Sequence, residues 1–313
     1  MVQAVVVDRA APGRLKLAEV AAPEPGPSEA LVRVRAISLN RGEVRTALND
    51  AIDGARPGWD FAGVIERAAA NGASPPAGAR VVGAMPTGAW AERIAAPGFL
   101  MAELPEGIGF SQAACLPVAG GTAWYALKRR PDLAGKRVLV TGATGGVGVF
   151  AIQLAARWGA DVTAAVRSPA KEAFVRGLGA GAVAVGDTLE GAKGGYDLIL
   201  ESVGGGVLGA ALRHLAPGGE CVLFGASESA VSTIDGSAFR VGGTSLYGLN
   251  MNYEMMLSPP RPALRELAEM VARGDMDPMI AVEAPWTDIA RVAADLVERR
   301  FNGKAALIVG AAP

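Results

Sequence analysis

The chain has 313 residues, too many for one small core and suited to two domains. Half of the residues are apolar, 19% are charged and the formal net charge is −1, which excludes a disordered chain and a broad polyanion-binding surface, so no nucleic-acid partner is expected. The two cysteines, Cys115 and Cys221, show no CxxC spacing, so they build neither a disulfide framework nor a thiolate zinc site, and a cytoplasmic location is expected.

Met1 to Asp8 reads as a strand rather than a leader, and no stretch approaches the roughly 20 apolar residues of a membrane span. As far as about Pro105, short β-branched runs are separated by Pro and Gly: Ala4–Val7, Leu31–Ile37, Gly63–Glu66, Arg80–Gly83 and Trp90–Ala95. They predict a mainly β, partly closed barrel over residues 1–115. The three prolines between Ala21 and Ser28 mark a loop.

From residue 116 to 252 the pattern predicts a doubly wound parallel sheet. Helices at Gln112–Leu116 and Thr122–Arg129 lead into it. Strands are expected at Arg137–Thr141, Asp161–Val166, Ala182–Val185, Asp197–Glu201, Glu220–Phe224 and Thr244–Tyr247, with helices at Val147–Trp158, Ser168–Leu178 and Val207–Leu215 between them. Residues 253–313, with helices at Pro262–Ala272 and Thr287–Arg299 and a strand at Ala305–Val309, are expected to return to the first domain.

The most informative segment is the first of these strand–turn–helix units. A glycine turn, Gly142-Ala143-Thr144-Gly145-Gly146-Val147-Gly148, joins an apolar strand to an apolar helix. Small residues at 143 and 145 let a pyrophosphate approach the backbone, and Gly148 lets the helix pack on the strand. The helix N-terminus adds free N–H groups and partial positive charge. After the second strand, where an acid would bond an NAD ribose, stand Arg167, Ser168 and Lys171. Two cations and a hydroxyl suit the 2′-phosphate of NADPH.

The order and spacing of several motifs resemble the zinc-independent quinone oxidoreductases, the zeta-crystallin type, of the medium-chain dehydrogenase/reductase superfamily. These motifs are residues 34–40 (Val-Arg-Ala-Ile-Ser-Leu-Asn), 58–64 (Gly-Trp-Asp-Phe-Ala-Gly-Val), 88–92, 116–123, the glycine turn, 201–205 (Glu-Ser-Val-Gly-Gly) and 303–305 (Gly-Lys-Ala). The resemblance implies a GroES-like first domain beside a Rossmann domain, and a homodimer formed near Thr244 to Asn250. It implies cofactor contacts at Asn40, Thr122, Ser202, Val203, Gly225 and Arg299. It also places Asn40, Trp59 and Val118 where the superfamily's larger branch carries its three catalytic zinc ligands. Two positions depart from bacterial relatives, whose cofactor-contacting tyrosines are replaced by Arg45 and Gly186.

Without a metal or a histidine-paired nucleophile, the expected chemistry is hydride transfer from NADPH to an electron-poor carbon of a small quinone or α,β-unsaturated carbonyl. Charge then develops on the carbonyl oxygen, and Asn40 and Arg45 are candidate catalytic donors to it. The plainer roles are a helix cap for Asn40, an exposed charge for Arg45 and a partner to a buried cation for Asp60. His214 is expected to be structural at a helix end. Tyr247, Met251, Tyr253, Met255 and Met256 could line an apolar pocket, an interface or core. Two competing readings are an enoyl reductase acting on acyl thioesters and a catalytically idle NADPH-binding protein.

Overall fold

A computed structural model describes residues 1–310 and divides the chain into two compact units, Met1–Gly121 with Met255–Pro313, and Thr122–Glu254. The first unit begins with β1 (Val2–Val7), β2 (Leu15–Val20), β3 (Glu29–Ser38), α1 (Arg41–Asn49), β4 (Asp60–Arg67), β5 (Arg80–Ala84), β6 (Arg93–Pro97), β7 (Met101–Glu103) and α2 (Phe110–Ala114). The second follows with α3 (Gly121–Lys128), β8 (Arg137–Val140), α4 (Gly146–Arg157), β9 (Asp161–Val166), α5 (Glu172–Gly177), β10 (Ala182–Val185), β11 (Tyr196–Glu201), α6 (Gly205–Leu212), β12 (Leu215–Leu223), β13 (Ser245–Gly248) and α7 (Met251–Leu257). The chain then completes the first unit with α8 (Arg261–Ala272), β14 (Ile280–Pro285), α9 (Ile289–Val297) and β15 (Lys304–Ile308).

In the first unit β1 and β2 form a hairpin, and a mixed seven-stranded sheet runs β14-β15-β3-β4-β5-β7 with β6 also on β3. The length of β3 follows from its double duty along one edge: Glu29–Arg33 pair with β6 and Ala36–Ser38 with β15. Its alternation is that of a half-buried strand, with Ala30, Val32, Val34 and Ala36 inside and Arg33 and Arg35 outside. Ala30, Val32 and Val34 share a core with Phe61, Trp90 and Ile94 and with Ile289, Val292 and Ala293, the i, i+3, i+4 face of α9.

In the second unit all six strands are parallel and ordered β10-β9-β8-β11-β12-β13, which is 3-2-1-4-5-6 in the unit's own numbering. The order reverses between β8 and β11, and in such sheets ligands bind at the carboxyl ends of the strands beside that reversal.

Three expectations need correction. The helix expected over Ser168–Leu178 is a 3₁₀ turn at Pro169–Lys171 followed by α5, because Ser168 and Pro169 start a tight turn first. The helix expected to reach Leu215 stops at Leu212, and β12 begins at Leu215 with a register shift against β11 that absorbs Pro217-Gly218-Gly219. The helix expected at Gln112–Leu116 is α2 followed by a π turn at Leu116–Gly120 that accommodates Pro117.

Candidate functional site: a dinucleotide crevice and two buried acid centres

At the switch point of the second unit, Gly142 turns the chain out of β8 with a φ of +55°, and a Cβ there would sit 2.4 Å from Ser202 Oγ. Gly148 is needed for another reason: its Cβ would lie 2.5 Å from the Gly142 carbonyl oxygen and 2.7 Å from the Ala143 carbonyl. The glycines therefore press α4 against the strand end, while Thr144, Gly145, Gly146 and Val147 stay accessible above Ala143. This is an anion-binding geometry, with α4 pointing its N-terminus at the crevice. On the neighbouring β11 side, Ser202 and Val203 are half-buried, and Gly225, after β12, backs onto the Ser202 carbonyl. Thr122 is buried on α3, and Arg167, Ser168 and Lys171 are exposed beyond β9. Ser168 Oγ accepts from the Ala170 N–H, so it caps its own turn.

Beneath this crevice lies an acid that sequence reasoning did not single out. Glu201, fully buried at the end of β11, accepts at Oε1 from Thr141 Oγ1 (3.1 Å) and Val203 N–H (2.8 Å), and at both oxygens from Gly204 N–H (3.2 and 3.1 Å). Thr141 in turn accepts from Ser202 N–H (3.0 Å). Burial pushes the Glu201 carboxyl up, and these donors pull it back down. Its sequence signals were an acid closing the apolar run Leu198-Ile199-Leu200 and its place at the head of the 201–205 motif, neither of which assigned it a role.

The first unit holds a second buried centre, around Asn40 at the junction of β3 and α1. Asn40 Nδ2 donates to Glu43 Oε1 (2.9 Å) and to Asp60 Oδ2 (2.7 Å), and its Oδ1 accepts from Lys304 Nζ (2.7 Å). Its side chain thus does not cap α1; instead Glu43 reaches back to the Asn40 N–H (2.8 Å). Glu43 also takes the Trp59 N–H (2.6 Å), and Asp60 takes Ser38 Oγ (3.0 Å) and the Val118 N–H (2.9 Å). Lys304 Nζ completes the centre on the Leu39 carbonyl (3.1 Å), 3.8 Å from Asp60, with both side chains out of water. Burial and the Asp60 charge raise the Glu43 carboxyl to about 8, and burial raises Asp60 against the pull of Lys304. Burial also drives the Cys115 thiol up to about 12, too high for a thiolate nucleophile or ligand.

The three positions compared with zinc ligands, Asn40, Trp59 and Val118, therefore do converge, through a side-chain amide and two backbone N–H groups, on the carboxylates of Glu43 and Asp60. They do not fit a zinc ion: an amide, an indole and a valine supply no thiolate or imidazole, and no group of three His, Cys, Asp or Glu ligands exists among the described residues. His214 lies past α6, its ring edge toward Tyr196 at 6.4 Å, and burial lowers its pKa.

Arg45 is an exposed side chain on α1, and Arg299, just past α9, holds a φ of +61°. Tyr247 donates to Glu254 (2.6 Å), Met255 is buried, and Tyr253 and Met256 are exposed. No helix among the described residues is long and apolar enough to cross a membrane.

Comparison with known proteins agrees with this architecture. Residues 146–272 match the family model of zinc-binding dehydrogenases. The chain is 34% identical over 279 residues to a mycocerosic acid synthase-like polyketide synthase of Mycobacterium tuberculosis, covering 84% of this chain and 13% of that protein. Curated relatives of this kind are far longer, and the chain spans 6–15% of their length. Among solved structures, the quinone oxidoreductase of Pseudomonas syringae pv. Tomato DC3000 superposes with a TM-score of 0.87 at 25% identity, over 98% of this chain and 100% of that one. The mycobacterial Rv1454c complexed with NADPH does so at 0.86 and 25%, with the same coverage. The fold and the matched segment define an oxidoreductase architecture. The chain belongs to the medium-chain dehydrogenase/reductase superfamily.

Proposed function

We propose that this chain is an NADPH-dependent reductase that delivers hydride to the β-carbon of a quinone or an α,β-unsaturated carbonyl without a metal. The observation that carries this reading is the glycine turn at the switch point, followed after β9 by Arg167, Ser168 and Lys171 with no acid among them. In this reading the backbone of Thr144 to Gly148 cradles the pyrophosphate, and Arg167 and Lys171 take the 2′-phosphate. Thr122, Ser202, Val203, Gly225 and Arg299 are further proposed contacts. NADPH supplies the hydride when bound; the protein orients it and excludes water. Asn40 and Arg45 are the proposed donors to the carbonyl oxygen. Of the two, Asn40 already gives its amide to Glu43 and Asp60, so it acts in that role only by exchanging one of these bonds.

A second reading has its own support. The 34% identity to a polyketide synthase favours an enoyl thioester as the acceptor. Both substrates take hydride at the β-carbon of a conjugated carbonyl, so one assay separates them. NADPH oxidation is followed with a panel of quinones, enones and crotonyl thioesters, before and after treatment with chelator. Turnover of quinones or enones that survives chelation is expected. A strong preference for the thioester moves the assignment to the second reading, and activity lost to chelator and regained with zinc sinks the metal-free clause. We further expect a cytoplasmic homodimer formed through β13, whose outer edge is unpaired within its sheet, and sedimentation would test it.

A further inference from the structure

We propose that Glu201 is an electrostatic tuning residue for the bound nicotinamide: its buried negative charge favours the oxidised, positively charged ring over the neutral reduced one. The inference rests on the nucleotide reading above and deepens it.

The second unit places opposite charges on the two sides of one crevice. On the β8 side, α4 offers the partial positive end of a 12-residue helix, suited to a pyrophosphate. On the β11 side, the Glu201 carboxylate lies directly under the Ser202–Gly204 turn. It is fully buried, so solvent screens it little.

Nor does a cation cancel it. The groups acting on Glu201 are backbone N–H groups and the Thr141 hydroxyl, and it forms no ion pair among the described residues. Burial raises its carboxyl, and these donors work against that rise: each favours the charged form, since a proton on either oxygen would compete with N–H groups already aimed there. The dipoles of two amides and a hydroxyl stabilise the charge without removing its field.

A nucleotide lying across the switch point reaches from the β8 side to the β11 side. Loss of a hydride, one proton with two electrons, turns its neutral dihydropyridine into a pyridinium cation. A fixed anion beneath that half of the crevice lowers the free energy of the oxidised form relative to the reduced one, and so drives hydride donation on the protein. Arg167 and Lys171 cannot discriminate in this way, because the 2′-phosphate is the same in both forms.

The test is the ratio of dissociation constants for NADPH and NADP⁺, measured by titration calorimetry on the whole chain and on Glu201→Gln. The variant is expected to weaken NADP⁺ relative to NADPH by roughly 3- to 10-fold, the scale of one charge acting through a partly polar interior. Should Glu201→Gln fail to fold, Glu201→Asp and Glu201→Asn, which match in size and differ in charge and in one donor, make the same comparison: Asp keeps the wild-type ratio and Asn loses it. Equal weakening of both nucleotides by charged and neutral variants alike would overturn the proposal and leave Glu201 as a tie between two turns. Failure of the wild-type chain to bind either nucleotide is a different result, which removes the cofactor reading itself.

Discussion

In the first unit Asp60 and Glu43 are buried beside a lysine, whereas in the second Glu201 is buried beside backbone N–H groups and a threonine hydroxyl. A cation neutralises a buried acid but leaves the protein dependent on one distant side chain. Backbone donors favour the charged form of the acid against the effect of burial and make it dependent on the shape of a turn. The first arrangement suits a structural anchor and the second a group whose charge is felt by something bound nearby.

Removing the cation should break the first arrangement most severely. Lys304→Met leaves Asp60 buried without its partner and is expected to cost about 3–5 kcal/mol in urea unfolding, with much of the loss recovered when Asp60→Asn is added. The counterpart in the second unit is Gly148→Val. Its side chain must displace the Gly142 and Ala143 backbone, at a cost of roughly 1–3 kcal/mol, and NADPH binding followed by fluorescence should disappear.

The Glu43 carboxyl gives a pH signature that sharpens the contrast. Its folded-state value is raised from the ordinary 4.5 to about 8, so between these limits the folded chain holds a proton that the unfolded chain has released. Stability from this group is present below about pH 4.5 and is lost as the pH rises through about 8. Glu43→Gln should flatten that decline in urea midpoints; an unchanged slope would assign the proton elsewhere in the centre. The smallest effect is expected where charges are exposed. The Arg167→Ala, Lys171→Ala double variant should weaken NADPH by roughly 10-fold, leave NADH unchanged and barely move the melting temperature. Equal loss for both nucleotides would remove the 2′-phosphate assignment.

Much of the second unit was legible because its signals are local. Val138 to Val140, the glycine turn and the apolar run of α4 are contiguous, and five of the six strands lie within two residues of their expected positions at both ends. The first unit was harder to read. Its key contact joins Lys304 to Asn40, 264 residues apart, and Glu43 looks in sequence like any acid in the first turn of a helix. Asn40 was singled out for its chemistry, but only the fold shows that both ends of its amide are occupied. The strand β14 was not expected because only Ile280 and Val282 mark its inner face by bulk, at a sheet edge where both stay half-buried.

The pairing of β15 with β3 also sets an order of events during synthesis. Residues 122–254 are contiguous and can close as soon as they leave the ribosome, whereas the sheet holding Asp60 must wait for residues 304–308 to emerge. Nascent chains stalled near residue 290 should therefore show a protease-resistant second unit and a digestible first one, with protection of the first arriving only once Lys304 has emerged.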